Sequence, residues 1–287
     1  MRHIHTTDWT LTNNQGLDII GNTDHPADDS VGDSATPLAT LVLLHGFKGY
    51  KDYGFIPVLA KELAKAGVLV HRFNFSCSGM TNKLDTFARP DLFALDTWNR
   101  QVEDVGCVFD AIESGEILGK EMPMFLCGHS RGGGTALLAS GRQTSPKLAG
   151  VVTINSVASC NSLSDEMQRE MLDNGFIKSA SARTGQELRI GAAWLQEQID
   201  DPVGHDVLGL CRNIDCSKII LHGSDDQAVD IGAGEAIAGA VGAELQVIVG
   251  GNHVLNMANP ALVDAEISPQ LGEVIGLLQN FVIANGL

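Results

Sequence analysis

No run of about 18–20 consecutive apolar residues occurs anywhere in the 287-residue chain, which excludes an ordinary membrane-spanning helix. The first dozen residues, Met1 to Thr12, are polar and lack the apolar centre of a secretory signal, so a cytoplasmic setting is expected. Basic residues are scarce: 19 stand against 35 acidic ones, for a formal charge of −16, and that field repels a phosphate backbone. Nucleic acid and membrane are therefore not the expected partners. The six cysteines (Cys77, Cys107, Cys127, Cys160, Cys211 and Cys216) lack paired spacing and sit mostly in apolar segments, which suits free buried thiols. Cys211 and Cys216 have no second Cys or His pair at a zinc-like distance, so no metal site is expected. Internal repeats and low-complexity tracts are absent too. Nothing in the sequence bears on the oligomeric state.

What is present is an alternation. The first 37 residues, broken by Gly16, Gly21, Pro26, Gly32 and Pro37, read as one or two weak edge strands and a loop. After them, short apolar runs (Leu38–Leu44, Val68–Phe75, Met124–Cys127, Leu148–Ile154, Lys218–Leu221, Glu244–Val249) alternate with helix-length stretches. Gly54–Ala66, Leu92–Ile112, Arg131–Ala139, Gly232–Ala240 and Leu271–Ile283 have helical spacing. Strands that are apolar at successive positions and separated by helices predict an α/β fold: a mostly parallel, doubly wound sheet covered on both faces, forming one domain over residues 1–287. Ligands on such sheets bind beyond the carboxyl ends of the strands. One interval departs from the alternation. About sixty residues separate Ile154 from Lys218, and we read Ser156–His205 as a small helical cap inserted over the strand ends, with helices at Asp165–Leu172 and Gly191–Ile199.

The loops after the strands carry the chemistry. Gly128-His129-Ser130-Arg131-Gly132 follows a strand and opens a helix, the context in which G-x-S-x-G acts as a nucleophile elbow. The sharp turn lifts the Ser130 hydroxyl clear of the sheet, and Cβ atoms two residues either side would collide, hence the two glycines. A phosphate cradle is a poorer reading of Gly132, Gly133 and Gly134, because no Walker-type lysine follows. Serine needs a base. His253, the only histidine beyond residue 222, stands in Gly250-Gly251-Asn252-His253 directly after an apolar strand. The acid that orients it comes from Ser224-Asp225-Asp226, where Asp226 is preferred and Asp225 is the alternative. The oxyanion of a tetrahedral intermediate needs two amide donors, for which Arg131 and Phe47 are the candidates, the latter within His45-Gly46-Phe47-Lys48-Gly49. His45 and His129 read as buried scaffold residues.

Taken in order, HGFKGYKDYGF, RFNFSCSG, GHSRGG, HGSDDQAV and GGNH resemble the α/β-hydrolase superfamily, and most of all its bacterial small esterases, grouped with serine aminopeptidase-like and dienelactone hydrolase-like proteins. The likeness runs from about Leu38 to the C-terminus. It implies Ser130, Asp226 and His253 as a catalytic triad, Phe47 and Arg131 as oxyanion donors, a small-molecule ester as substrate, and no cofactor or metal. Feruloyl-type esterase, acyl-peptide hydrolase, thioesterase and cofactor-free haloperoxidase chemistry use the same residues, and a binding protein on this fold is a further class. Two features depart from the family. Val229-Asp230 stands where Val-Pro is common, and Ser130 replaces the cysteine nucleophile of dienelactone hydrolases proper. In the cap, Phe176 and Trp194 are the expected substrate-binding residues, with Met167, Met171 and Leu172 as further apolar lining.

Overall fold

The computed structural model describes residues 3–27, 37–143, 146–261 and 266–286. Its strands are β1 (Ile4–Thr12), β2 (Asp18–Pro26), β3 (Ala39–Leu44), β4 (Val68–Asn74), β5 (Met124–His129), β6 (Gly150–Ile154), β7 (Phe176–Ala180), β8 (Glu187–Gly191), β9 (Ser217–Gly223) and β10 (Leu245–Ile248). The helices are α1 (Ile56–Lys65), α2 (Pro90–Phe93), α3 (Trp98–Ser114), α4 (Arg131–Gly141), α5 (Asp165–Asn174), α6 (Ala193–Asp200), α7 (Val207–Cys211), α8 (Ile231–Val241) and α9 (Pro269–Asn285). Eight strands form one sheet in the order β1-β2-β4-β3-β5-β6-β9-β10. From β4 to β10 every pairing is parallel, and β2 joins β4 antiparallel.

β3, β5 and β6 are buried at every position, because helices cover both faces. On one face Phe55, Leu59 and Leu63 pack with Val274 and Leu278 of α9 against Leu41, Phe125 and Val152. On the other, Val105, Val108 and Phe109 of α3 meet Leu126, Val42 and Leu137. Each fully buried side chain of this size contributes about 1.5–3 kcal/mol, so the sheet centre is the rigid part of the molecule.

The helix starts have local causes. Thr97, Ser164, Asp206, Asp230 and Ser268 each accept a hydrogen bond from an amide in the first turn of the helix that follows. Asp230 is thus the cap of α8: its Oδ1 accepts from the Gly232 amide at 2.8 Å.

Two expectations need correction. The long helix expected over Leu92–Ile112 is split, since Asp96 and Thr97 leave helical conformation and α3 starts at Trp98. The interval between β6 and β9 also contains a strand pair that periodicity did not reveal. β7 and β8 form a hairpin around the turn-rich stretch, with Phe176 opposite Gly191 and Ala180 opposite Glu187. Each strand has only five residues with mixed polarity, too short for a clear alternation. The hairpin is tied to the 80s loop by Gln186, whose side chain bonds Thr86 Oγ1 and both the amide and the carbonyl of Phe87.

Candidate active site

Ser130 caps α4 with φ 56° and ψ −123°, a strained conformation for a residue with a Cβ. Close packing around the turn holds it there. A Cβ on Gly128 would run into the Gly132 backbone, and one on Gly132 would lie 2.5 Å from the His45 carbonyl oxygen and 2.7 Å from that of Leu44. A Cβ on Gly46 would lie 2.9 Å from Ser130 Cβ. The glycines therefore let three chain segments meet under the serine.

β9 and β10 lie beyond β5 and β6 in the sheet, so their carboxyl ends open onto the same edge. The structure brings Ser130, His253 and Asp226 together there: Ser130 Oγ is 3.1 Å from His253 Nε2, and His253 Nδ1 is 2.7 Å from Asp226 Oδ2. Asp226 Oδ1 accepts from the amides of Ala228 and Val229 at 2.8 and 2.9 Å. Burial pushes this carboxyl upward, but the bonds from His253 and the two amides outweigh it and hold Asp226 below its ordinary range. An ionised Asp226 accepts from Nδ1–H, which leaves Nε2 free to take a proton from the serine. Asp225 instead faces solvent, accepting from Ser224 Oγ at 2.7 Å.

Two neighbouring histidines are buried without charge. Burial lowers His129 to about 3, and its Nε2 lies 2.8 Å from the His253 carbonyl oxygen, to which it donates. Burial likewise lowers His45 to about 4; its Nδ1 donates to the Gly46 carbonyl at 2.9 Å. Sequence reasoning missed Asn155. It is fully buried at the end of β6 with φ 50°, and its Nδ2 donates to the carbonyls of Asn252 and His253 at 3.1 and 3.0 Å. Its Oδ1 accepts from the Gly223 amide at 2.8 Å. One side chain thus ties the loops bearing Asp226 and His253 to the strand next to Ser130. The signal available in the sequence was a lone asparagine directly after an apolar strand, since asparagine tolerates the left-handed region.

The pocket over Ser130 has a volume of about 680 Å³. Phe47, Arg131 and Trp194 line it together with Ser130 and His253, as does Met167. Neither the Phe47 nor the Arg131 amide donates to another group among the described residues. Phe176 is not part of the lining. Its ring lies under the Arg189 guanidinium, 4.3 Å from centroid to Cζ, while Ile177, one position on, is buried and faces the pocket. Met171 belongs to the core and Leu172 to the surface. All six cysteines are free; burial pushes Cys160, in the pocket wall, up to about 12. Among the described residues no cluster of His, Cys, Asp or Glu is placed to hold a metal ion, and no helix is long and apolar enough to cross a membrane.

Comparison with known proteins follows the same lines. Residues 35–173, just under half the chain, match the family described as serine aminopeptidase, S33. No curated protein matches at the sequence level. Among solved structures, the esterase domain of a Rhodothermus marinus protein is similar at TM-score 0.63 and 19% identity, with 98% of each chain covered. Est1E from Butyrivibrio proteoclasticus with ferulic acid bound has TM-score 0.69 and 16% identity, over 96% of this chain and 98% of its own. The acylaminoacyl peptidase of Pyrococcus horikoshii has TM-score 0.65 and 12% identity, over 99% of this chain and 42% of its own. At such identities the likeness is one of fold. The chain therefore has the α/β-hydrolase fold, and the segment that is similar to the serine aminopeptidase family runs from the third strand to α5.

Proposed function

We propose that the protein is a serine hydrolase that cleaves a small carboxylic ester through an acyl-enzyme. The observation that carries this reading is the unbroken chain from Ser130 Oγ through both ring nitrogens of His253 to Asp226. Ser130 Oγ attacks the ester carbonyl while His253 Nε2 takes its proton. Negative charge forms on the carbonyl oxygen, and the amides of Phe47 and Arg131 receive it. The intermediate collapses as the ester C–O bond breaks, and the imidazolium returns its proton to the departing alkoxide. Water repeats the sequence on the acyl-enzyme, releasing the acid and freeing Ser130. Every step is proton transfer or acyl transfer, so this chemistry needs no cofactor.

The cap over Ser156–His205 belongs to the same proposal: Val157, Leu163 and Ile177 wall the pocket and set acyl fit. The rings of Phe47, Trp98 and Trp194 in that wall favour, as a second reading, a feruloyl-type aromatic acyl group. A panel of p-nitrophenyl esters of increasing chain length, with an aryl-acrylate ester added, distinguishes the two. A fluorophosphonate should label wild type at Ser130, and Ser130→Ala should lose both labelling and several orders of magnitude in turnover. Near-wild-type turnover by folded Ser130→Ala refutes the mechanism.

A further inference from the structure

The pocket holds one charged group that ester hydrolysis alone does not require. The Arg131 side chain is only 8% exposed, yet it belongs to the wall beside Ser130. Its guanidinium is stacked against aromatic faces, with Cζ 4.6 Å from the Trp98 ring centroid and 5.7 Å from that of Phe47. Stacking fixes the plane of the cation but satisfies none of its donors. Asp96 Oδ2 lies 3.1 Å from Nη2, close enough for an ion pair but out of line for a hydrogen bond, so Nε and Nη2 are both buried without an acceptor among the described residues. Both Asp96 oxygens already accept from Gln101 Nε2, at 3.1 and 2.9 Å. Burial keeps Asp96 above the usual carboxylate range even with Arg131 beside it. Nη1, which bonds nothing among the described residues, is the guanidinium nitrogen left accessible.

The rest of the wall points the same way. Trp194 Nε1 is a further buried donor without an acceptor among the described residues. Among the described residues no aspartate or glutamate lines the pocket, although the chain as a whole carries a charge of −16. The other lining cation, Lys178, is exposed and paired with Glu187 at 3.0 Å, so it adds little. A buried cation with idle donors is costly unless a ligand completes it.

The geometry points to an anion subsite: the ester that this protein cleaves carries a second, carboxylate group, which Arg131 Nη1 binds while Ser130 reacts. This inference rests on the esterase reading. The carboxylate has two possible positions, the acyl side or the alcohol side of the scissile bond. A carboxylate on one charged donor in a water-poor pocket is expected to raise kcat/KM by about 10- to 150-fold over a neutral isostere.

The test uses two matched substrate pairs. Monomethyl glutarate against its primary-amide analogue places the charge on the acyl side, and 4-acetoxybutyrate against 4-acetoxybutyramide places it on the alcohol side. Wild type should prefer the acid in one pair by at least 10-fold. Arg131→Gln should collapse that ratio towards 1, and Arg131→Lys should retain part of it. The ratio is taken within each variant, so a general loss of rate or of folded protein cancels. Equal rates for acid and amide in both wild-type pairs overturn the anion subsite and leave the esterase reading standing. Calorimetric titration of glutarate into Ser130→Ala protein separates the remaining case. Binding without any ester turnover in wild type supports the subsite and refutes the esterase reading, whereas neither binding nor turnover refutes both.

Discussion

Replacing Asn155 with alanine removes three hydrogen bonds from a site that no solvent reaches. The Gly223 amide loses its 2.8 Å acceptor and is stranded in the interior, at a cost of about 1–3 kcal/mol. The carbonyls of Asn252 and His253 lose a donor each, but both keep another: the Leu255 amide at 3.0 Å and His129 Nε2 at 2.8 Å. Alanine at φ 50° adds roughly 1 kcal/mol of backbone strain. The total comes to about 2–4 kcal/mol, a large share of the 5–15 kcal/mol that holds a typical domain together. Tm should fall by roughly 3–7 °C. The effect on rate has a separate origin, because the freed loops carry Asp226 and His253. A displacement of about 1 Å at those groups costs on the order of 100-fold. Differential scanning calorimetry and kcat/KM on a p-nitrophenyl ester should therefore show both losses. Asn155→Gly relieves the strain and should melt about 1 kcal/mol higher than Asn155→Ala, with the same loss of rate. An Asn155→Ala protein within 2 °C and twofold of wild type would refute the role of this side chain as a brace.

Three further outcomes are expected. Asp226→Asn should lower turnover by about 10⁴ while Asp225→Asn lowers it less than about threefold, since only Asp226 meets His253; the reverse ranking in steady-state kinetics would shift the assignment by one residue. Trp194→Ala should open the pocket and move preference towards longer or bulkier acyl groups by ~1–3 kcal/mol, whereas Phe176→Ala should leave the chain-length profile unchanged, and a shifted profile for Phe176→Ala would contradict the pocket wall. Stability should fall on acidification. Burial lowers His45 and His71 to about 4 and His129 to about 3, so below the ordinary histidine value of about 6.5 the unfolded chain binds more protons than the folded one, and stability present at pH 7 drains away towards pH 4. Each ring accounts for about 3 kcal/mol over that window. Asp104, which burial raises to about 6, opposes them by a similar amount, because the folded state takes up its proton as pH drops. A net loss on the order of 5 kcal/mol should appear as a Tm lower by roughly 8 °C at pH 4.5 than at pH 7.5, and a flat profile would mean that these rings are not held neutral.

The parallel sheet was legible because burial on both faces writes a continuous apolar run, as in Leu41–Leu44 and Val68–Val70. The residues that meet at the strand ends could be located because the elbow fixes its own glycines and the remaining chain offers only one late histidine. Local causes at Asp96 and Thr97, where a cap interrupts an amphipathic stretch, were not visible in the hydrophobic period. The β7–β8 hairpin was hidden because it lies over the domain and buries only alternate residues such as Ile177 and Leu188. That same alternation turns Phe176 away from the pocket, so size alone was a poor guide to lining. Asn155 and the idle donors of Arg131 depend on contacts between segments far apart in the chain, which no window of sequence contains.

The order in which the strands leave the ribosome has a consequence of its own. β6 sits inside the finished sheet, but its outer neighbour β9 follows it by about sixty residues, with the proposed cap between them. At ~5–20 residues per second, the edge Gly150–Ile154 waits roughly 3–12 s before it is paired. During that interval the nascent chain still lacks Asp226 and His253, and β6 has an apolar edge without its partner strand. Codons that slow translation through the cap would lengthen this exposure without changing a single residue. The yield of soluble protein should then depend on the speed of synthesis across residues 156–216, even though the stability of the finished molecule does not.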